Sequence, residues 1–292
     1  LILGIFRKTF NMKYSIFKFL AWMAEVAHDV PMNWDDAYKN SAYIPGGDSF
    51  PARWAEAAGL FRAQATAHLD QPYGPGKRER YDLFLPAERP RGTVIFIHGG
   101  YWLAFDKSSW SHLAQGPVAH GWAVAMPSYT LCPEARIGEI VRQIARAVRV
   151  IGEQVPGELR LTGHSAGGHL AIRLCCADQP FAGRVAKTLS ISGLHDLRPL
   201  LQTEMRGDLR LDDREAAAES PALLMPRAGT KVTAWVGADE RPEFIRQTAL
   251  LANIWSGLGA DIKQVIAPGR HHYDVIDDLA QPGSKMVAEL LD

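Results

Sequence analysis

The chain has few cysteines, no net charge and no long apolar run, and each shortage closes a class of function. Only Cys132, Cys175 and Cys176 occur, too few for a disulfide scaffold. The adjacent pair lies in an apolar helical pattern and reads as reduced core thiols, which points to the cytoplasm. Thirty-two basic residues balance 32 acidic ones, and no basic run is interleaved with aromatics, so the footprint of a nucleic-acid-binding surface is missing. No uninterrupted stretch of about eighteen apolar residues is present, so stable membrane insertion is not expected. Neither H-E-x-x-H nor a Cys/His pair at zinc spacing occurs. His112, His120, His164, His169 and His195 are therefore not read as ligands, and no metal or cofactor is expected.

What is present suits one large α/β domain: 292 residues, 47 % of them hydrophobic and 22 % charged. Residues 1–31 stand apart, apolar and basic through Arg7, Lys8, Lys13 and Lys18. Lys13 and Lys18 interrupt the apolar core a secretory signal needs, and Trp22 or Glu25 would fall three positions before cleavage at Ala24 or Ala27. The segment reads as an amphipathic extension, or as sequence upstream of a start at Met32. Residues 32–292 read as the catalytic domain.

Within that domain a helix-like stretch over 50–68 and a Pro/Gly turn at 71–76 precede a regular alternation. Strands are expected at 80–85, 93–97, 123–126, 159–162, 187–191, 231–236 and 261–266, and helices near 109–120, 137–154, 169–177, 242–258 and 284–291. Alternation of this kind implies a mostly parallel central sheet with helices on both faces. Residues 194–225 break the rhythm with charged, Leu-rich sequence and are expected to pass over the strand ends as a short lid.

The most informative stretch is Gly163-His164-Ser165-Ala166-Gly167, where an apolar run stops and a helical pattern starts at once. A G-x-S-x-G match arises by chance in about one chain in ten of this length; the strand–turn–helix context is what makes it a nucleophile elbow. A serine hydroxyl is a poor nucleophile unless a base takes its proton and a third group orients the base. Two carboxylates, Asp239 and Glu240, follow the strand at 231–236, and His271 and His272 follow the next. Serine, acid and histidine at successive strand ends are in the order of the α/β-hydrolase fold. His98-Gly99-Gly100-Tyr101-Trp102 follows the strand at 93–97, where the amides of Gly99 and Gly100, with that of Ala166, would form an oxyanion hole.

Taken together these segments resemble the serine-dependent kynurenine formamidases (arylformamidases) of the α/β-hydrolase superfamily, from about Asn33 to the C-terminus. The HGG-x-W and G-H-S-A-G segments are shared with many short-chain esterases. More particular are Ser192-Gly193-Leu194-His195-Asp196-Leu197, Pro242-Glu243-Phe244-Ile245-Arg246-Gln247 and His272-Tyr273-Asp274-Val275-Ile276. The resemblance implies Ser165 as nucleophile and His272, rather than His271, as general base. The family's acid lies two residues before Pro-Glu-Phe, which favours Glu240 and leaves Asp239 as the alternative.

These roles describe acyl transfer through an acyl-enzyme that water clears. For a formamide the acyl group is only a formyl, so the leaving arylamine must be gripped, and Tyr101, Trp102, Phe105, Tyr129 and Tyr273 are the expected aromatic walls; Trp122 is assigned to the core. The expected partner is a small aryl formamide such as N-formylkynurenine, or an ester, and a homodimer is allowed. A general short-acyl carboxylesterase would use the same machinery. A non-catalytic ligand-binding relative would be expected to have lost the serine, the histidine or the HGG loop, and all three are present.

Overall fold

The computed structural model describes residues 32–155, 157–179 and 185–292. The N-terminal extension read over 1–31 therefore lies outside the described residues. Eight strands form one sheet: β1 (Ala67–Pro72), β2 (Arg80–Phe84), β3 (Gly92–Ile97), β4 (Ala123–Pro127), β5 (Glu158–His164), β6 (Val185–Ile191), β7 (Lys231–Gly237) and β8 (Asp261–Ala267). Their order is β1-β2-β4-β3-β5-β6-β7-β8. The β1–β2 and β2–β4 pairs are antiparallel and every other pair is parallel. The central strands β3, β4 and β5 are buried almost throughout, as parallel strands covered on both faces must be.

Helices α1 (Trp34–Tyr38), α2 (Phe50–Arg62), α3 (Gln115–Ala119), α4 (Ile137–Gln154), α5 (Ala166–Arg173), α6 (Met205–Leu209), α7 (Asp213–Ala218), α8 (Pro242–Gly257) and α9 (Lys285–Leu291) complete the chain, with several 3₁₀ turns. In α4, Ile137, Ile140, Val141, Ile144, Ala147, Val148 and Ile151 are buried. Their spacing of three and four residues makes one apolar stripe, which joins Ile95, Ile97, Leu161 and Leu170 in the core on one side of the sheet. Phe84, Val94, Phe96, Leu189 and Trp235 pack with Trp54, Trp110, Trp122 and Met286 on the other. The three cysteines are free and buried, and burial pushes the Cys176 thiol up to about 12.

Two expectations fail at the edges. The helix over 50–68 ends at Arg62 and the chain turns into β1, the edge strand. Its side chains are largely exposed, and Asp70 at φ +55 interrupts the pairing with β2, so the strand carries no alternating apolar pattern to read. The helix expected over 109–120 is instead the 3₁₀ turns Lys107–Ser109 and Ser111–Ala114 followed by the five-residue α3. The helix expected from 169 starts at Ala166, immediately after Ser165. Residues 194–225 contain α6, α7 and the turns Arg198–Gln202 and Pro221–Leu223.

Candidate active site

Ser165 closes β5 and opens α5 with φ +56 and ψ −118, a conformation that costs a non-glycine residue about 1–3 kcal/mol. The surroundings enforce it. A Cβ on Gly167 would lie 1.9 Å from the Ile97 carbonyl oxygen, and one on Gly163 would lie 2.3 Å from that of Gly167. The strand, the turn and the helix thus approach closer than any side chain permits, and the Ser165 amide is pinned to Ile191 O at 2.8 Å. Ala166, as first residue of α5, has no intrahelical acceptor for its amide.

The HGG loop packs on this elbow. A Cβ on Gly99 would meet His164 O at 2.7 Å, and Gly100 has φ +107. Tyr101, Trp102 and Phe105 also have positive φ, and the amides of Leu103 and Ala104 both donate to Gly100 O. His98 lies beneath, its ring stacked on Tyr129 at 4.3 Å and 7°; burial lowers its pKa to about 4, so it is neutral near pH 7.

Beyond β8 the chain delivers His272, whose Nδ1 is 2.6 Å from Glu240 Oε2. Both side chains are shielded, at 4 % and 0 % exposure. The other carboxylate oxygen, Oε1, accepts from the Ser192 hydroxyl at 2.5 Å and the Gly237 amide at 2.8 Å. A carboxylate acceptor fixes the His272 tautomer with its proton on Nδ1 and leaves Nε2 as the basic nitrogen. Asp239 is exposed, and its amide bonds to Arg270 O. Of the two candidate acids, Glu240 is the one brought to His272. His164 is held far below the usual imidazole range, first by burial and then by the neighbouring His272. Its Nε2–H donates to the His272 carbonyl at 2.9 Å.

Ser165 and His272 line one cavity of about 360 Å³, together with Tyr38, Lys39, Asn40, Ser41, Trp54, Gly100, Tyr101, Leu103, Ala104, Phe105, Trp110, His164, Met205 and Tyr273. Tyr101, Phe105 and Tyr273 are among the walls, as the sequence suggests. Trp102 and Tyr129 are not, and both are fully buried. Trp102 packs edge-on against His169 at 5.1 Å. Tyr129 supports the HGG loop from below, its hydroxyl donating to His98 O at 3.0 Å. Trp122 is in the core. Among the described residues no cluster of His, Cys, Asp and Glu could hold a metal ion, and no helix is long and apolar enough to cross a membrane.

Sequence reasoning misses the wall built by residues 38–41, Trp54, Trp110 and Met205. Trp54 and Trp110 pack with ring centroids 4.7 Å apart, tilted by 40°, although they lie 56 positions apart in the chain. No local spacing announces such a pair. The Pro-Glu-Phe-x-Arg-Gln segment is visible in sequence, and its task is structural. Phe244 lies 4.3 Å from the His272 ring. Gln247 Oε1 accepts from the amides of His195 and Asp196, while its Nε2 donates to Asp196 O and Glu243 Oε1. The segment binds the Ser-Gly-x-x-Asp-Leu loop to the back of the site.

The family described as alpha/beta hydrolase fold matches residues 94–243. The chain is 27 % identical to the kynurenine formamidase of Danio rerio over 248 residues, 80 % of this chain and 85 % of that protein. With the kynurenine formamidase of Salmo salar it is 28 % identical, covering 79 % and 82 %. A crystal structure of a provisionally named thioesterase from Silicibacter sp. TM1040 superposes with a TM-score of 0.86 at 48 % identity, covering 90 % of this chain and 100 % of that one. The strand order, the elbow at Ser165 and these relatives make the protein a hydrolase of the α/β-hydrolase fold family, similar to its kynurenine formamidases.

Proposed function

We propose that the protein is a serine hydrolase that removes the formyl group from an N-formyl arylamine of the N-formylkynurenine type. His272 Nε2 takes the Ser165 proton as the hydroxyl attacks the formyl carbon. Glu240 steadies the imidazolium that forms. The amides of Gly99, Gly100 and Ala166 stabilise the oxyanion, a contribution of about 3–4 kcal/mol per donor. His272 then protonates the departing aryl amine, and water, activated by the same nitrogen, releases formate.

The observation that carries this reading is the cavity wall. Trp54, Tyr101, Phe105, Trp110 and Tyr273 present rings around a small space that opens on Ser165, which suits a flat aromatic leaving group better than a long acyl chain. We further propose that the protein acts in the cytoplasm, in keeping with its free, buried thiols, and that residues 194–225, which supply Met205 to the wall, cover the site as a lid.

Turnover of N-formyl-L-kynurenine in the presence of a chelator tests the proposal, with Ser165→Ala as blank and a short-acyl aryl ester and a short-acyl thioester as comparators. Serine-dependent deformylation with kcat/KM above both comparators is the expected result. Cleavage of the ester or thioester alone would replace it with an esterase or thioesterase, and no cleavage of any of the three would leave a ligand-binding relative.

A further inference from the structure

The polar end of the cavity belongs to the strap of residues 34–41, which sits outside the sheet and is fastened at several points. The Tyr101 hydroxyl donates to Tyr38 O at 2.6 Å, and the Tyr38 hydroxyl donates to Glu243 Oε1 at 2.8 Å. Asp36 pairs with Arg241, and Asp35 accepts the Glu204 amide at 2.7 Å. Ionic side chains of neighbouring elements are likewise engaged, Glu243 with Arg246 and Asp196 with Arg198. Lys39 is different. It is the only Lys, Arg, Asp or Glu among the residues lining the cavity, it is exposed, and it pairs with no carboxylate among the described residues. Next to it, Asn40 donates through Nδ2 to the Tyr101 hydroxyl at 3.3 Å, while its Oδ1 is buried without a donor.

From this arrangement we infer that Lys39 is a specificity determinant, receiving a carboxylate on the part of the substrate that leaves with the amine. The inference rests on the reading of the site as one that expels an aryl leaving group, and it narrows that class to aryl substrates bearing a negative charge remote from the scissile bond. The aromatic walls accept the ring and Ser165 the acyl carbon. The strap offers a cation with no competing anion in the lining. Such binding away from the reacting atoms positions the substrate rather than taking part in proton transfer.

The test compares two substrate pairs in the wild-type chain, Lys39→Met and Lys39→Glu. One pair is N-formyl-L-kynurenine and uncharged formanilide. The other is 3-acetoxybenzoate and phenyl acetate, esters that differ only in a carboxylate on the leaving group. In the wild type, kcat/KM for the charged member exceeds that for the neutral member, and the excess shrinks as salt rises from 0.05 to about 1 M, where the screening length falls to about 3 Å. Lys39→Met lowers the charged-to-neutral ratio about three- to tenfold, mainly through KM, and Lys39→Glu lowers it further. A ratio that stays within twofold of wild type in both variants overturns the inference, as does a salt-independent wild-type ratio. Should neither formamide react while the ester ratio responds to Lys39, the formamidase reading falls and the role of Lys39 stands.

Discussion

Glu240 holds His272 from behind, Oε2 to Nδ1 at 2.6 Å, while its second oxygen takes hydrogen bonds from Ser192 and the Gly237 amide. Both oxygens of the carboxylate are engaged, so the histidine ring is oriented by an acid that is itself fixed. Asp239, one residue earlier, is exposed and does not bond to His272. Glu240→Ala is expected to lower kcat by about 10⁴-fold, the loss seen when a triad acid is removed, and Asp239→Ala to leave kcat within about twofold. Steady-state kinetics on the proposed formamide or on an aryl ester checks both, and equal mild losses would refute the assignment.

The strain at Ser165 separates stability from activity. With φ at +56, replacement by glycine removes the steric cost of a side chain in that region while deleting the nucleophile. Ser165→Gly is expected to be inactive yet more stable than wild type by up to about 1 kcal/mol, the gain being offset by the flexibility glycine adds to the unfolded chain. Chemical denaturation of the two proteins measures the difference, and a less stable glycine variant would contradict the strain argument.

Two glycines give opposite signs. Gly167→Ala drives a methyl into the Ile97 carbonyl at 1.9 Å, where only backbone movement could relieve it, and is expected to cost more than about 3 kcal/mol or prevent folding. Gly59 lies inside α2, where an added Cβ meets only the Arg62 side chain at 4.0 Å. Gly59→Ala is expected to stabilise the chain by about 0.5–1 kcal/mol through helix propensity. Melting curves for the pair test whether close approach, rather than glycine itself, matters.

Asp277 provides a pH test. Burial first, and then the carboxylate of Asp274, raise its pKa to about 6. The folded chain therefore binds this proton more tightly than the unfolded chain, and the stabilisation, complete below about pH 4, is lost as pH rises through about 6. At pH 7–8 the ionised carboxylate is a net cost. Asp277→Asn is expected to raise Tm by about 2–4 °C at pH 7.5, with the advantage vanishing toward pH 4. An advantage independent of pH would show that hydrogen bonding, not charge, governs the position.

The sequence discloses those parts of the molecule whose constraints are local. Strands β2 to β7 are legible because burial leaves them rich in apolar residues, β8 because it keeps Ile262, Val265 and Ile266 although it is a largely exposed edge, and α4 because its buried positions recur every three or four residues. The elbow is legible because two backbones approach where Gly163 and Gly167 stand. Strand β1 is not, since an exposed edge needs no apolar face. Nor is the substrate wall, which gathers residues 38–41, Trp54, Trp110 and Met205 from separate parts of the chain. Trp102 and Tyr129 mislead for the converse reason: an aromatic beside a catalytic loop serves equally well as the loop's foundation, and these two are buried beneath it.

The fastening of the strap to the rest of the protein has a corollary for design. Ser165, Glu240 and His272 follow β5, β7 and β8, parallel strands whose registers are set by ladder hydrogen bonds, whereas residues 34–41 belong to no strand and are attached by a few side-chain bonds. On the proposed reading, a change confined to Lys39 alters the leaving group the site accepts without touching the hydrogen bond between Glu240 and His272. The segment before the first strand is therefore where a designer seeking a different substrate would begin.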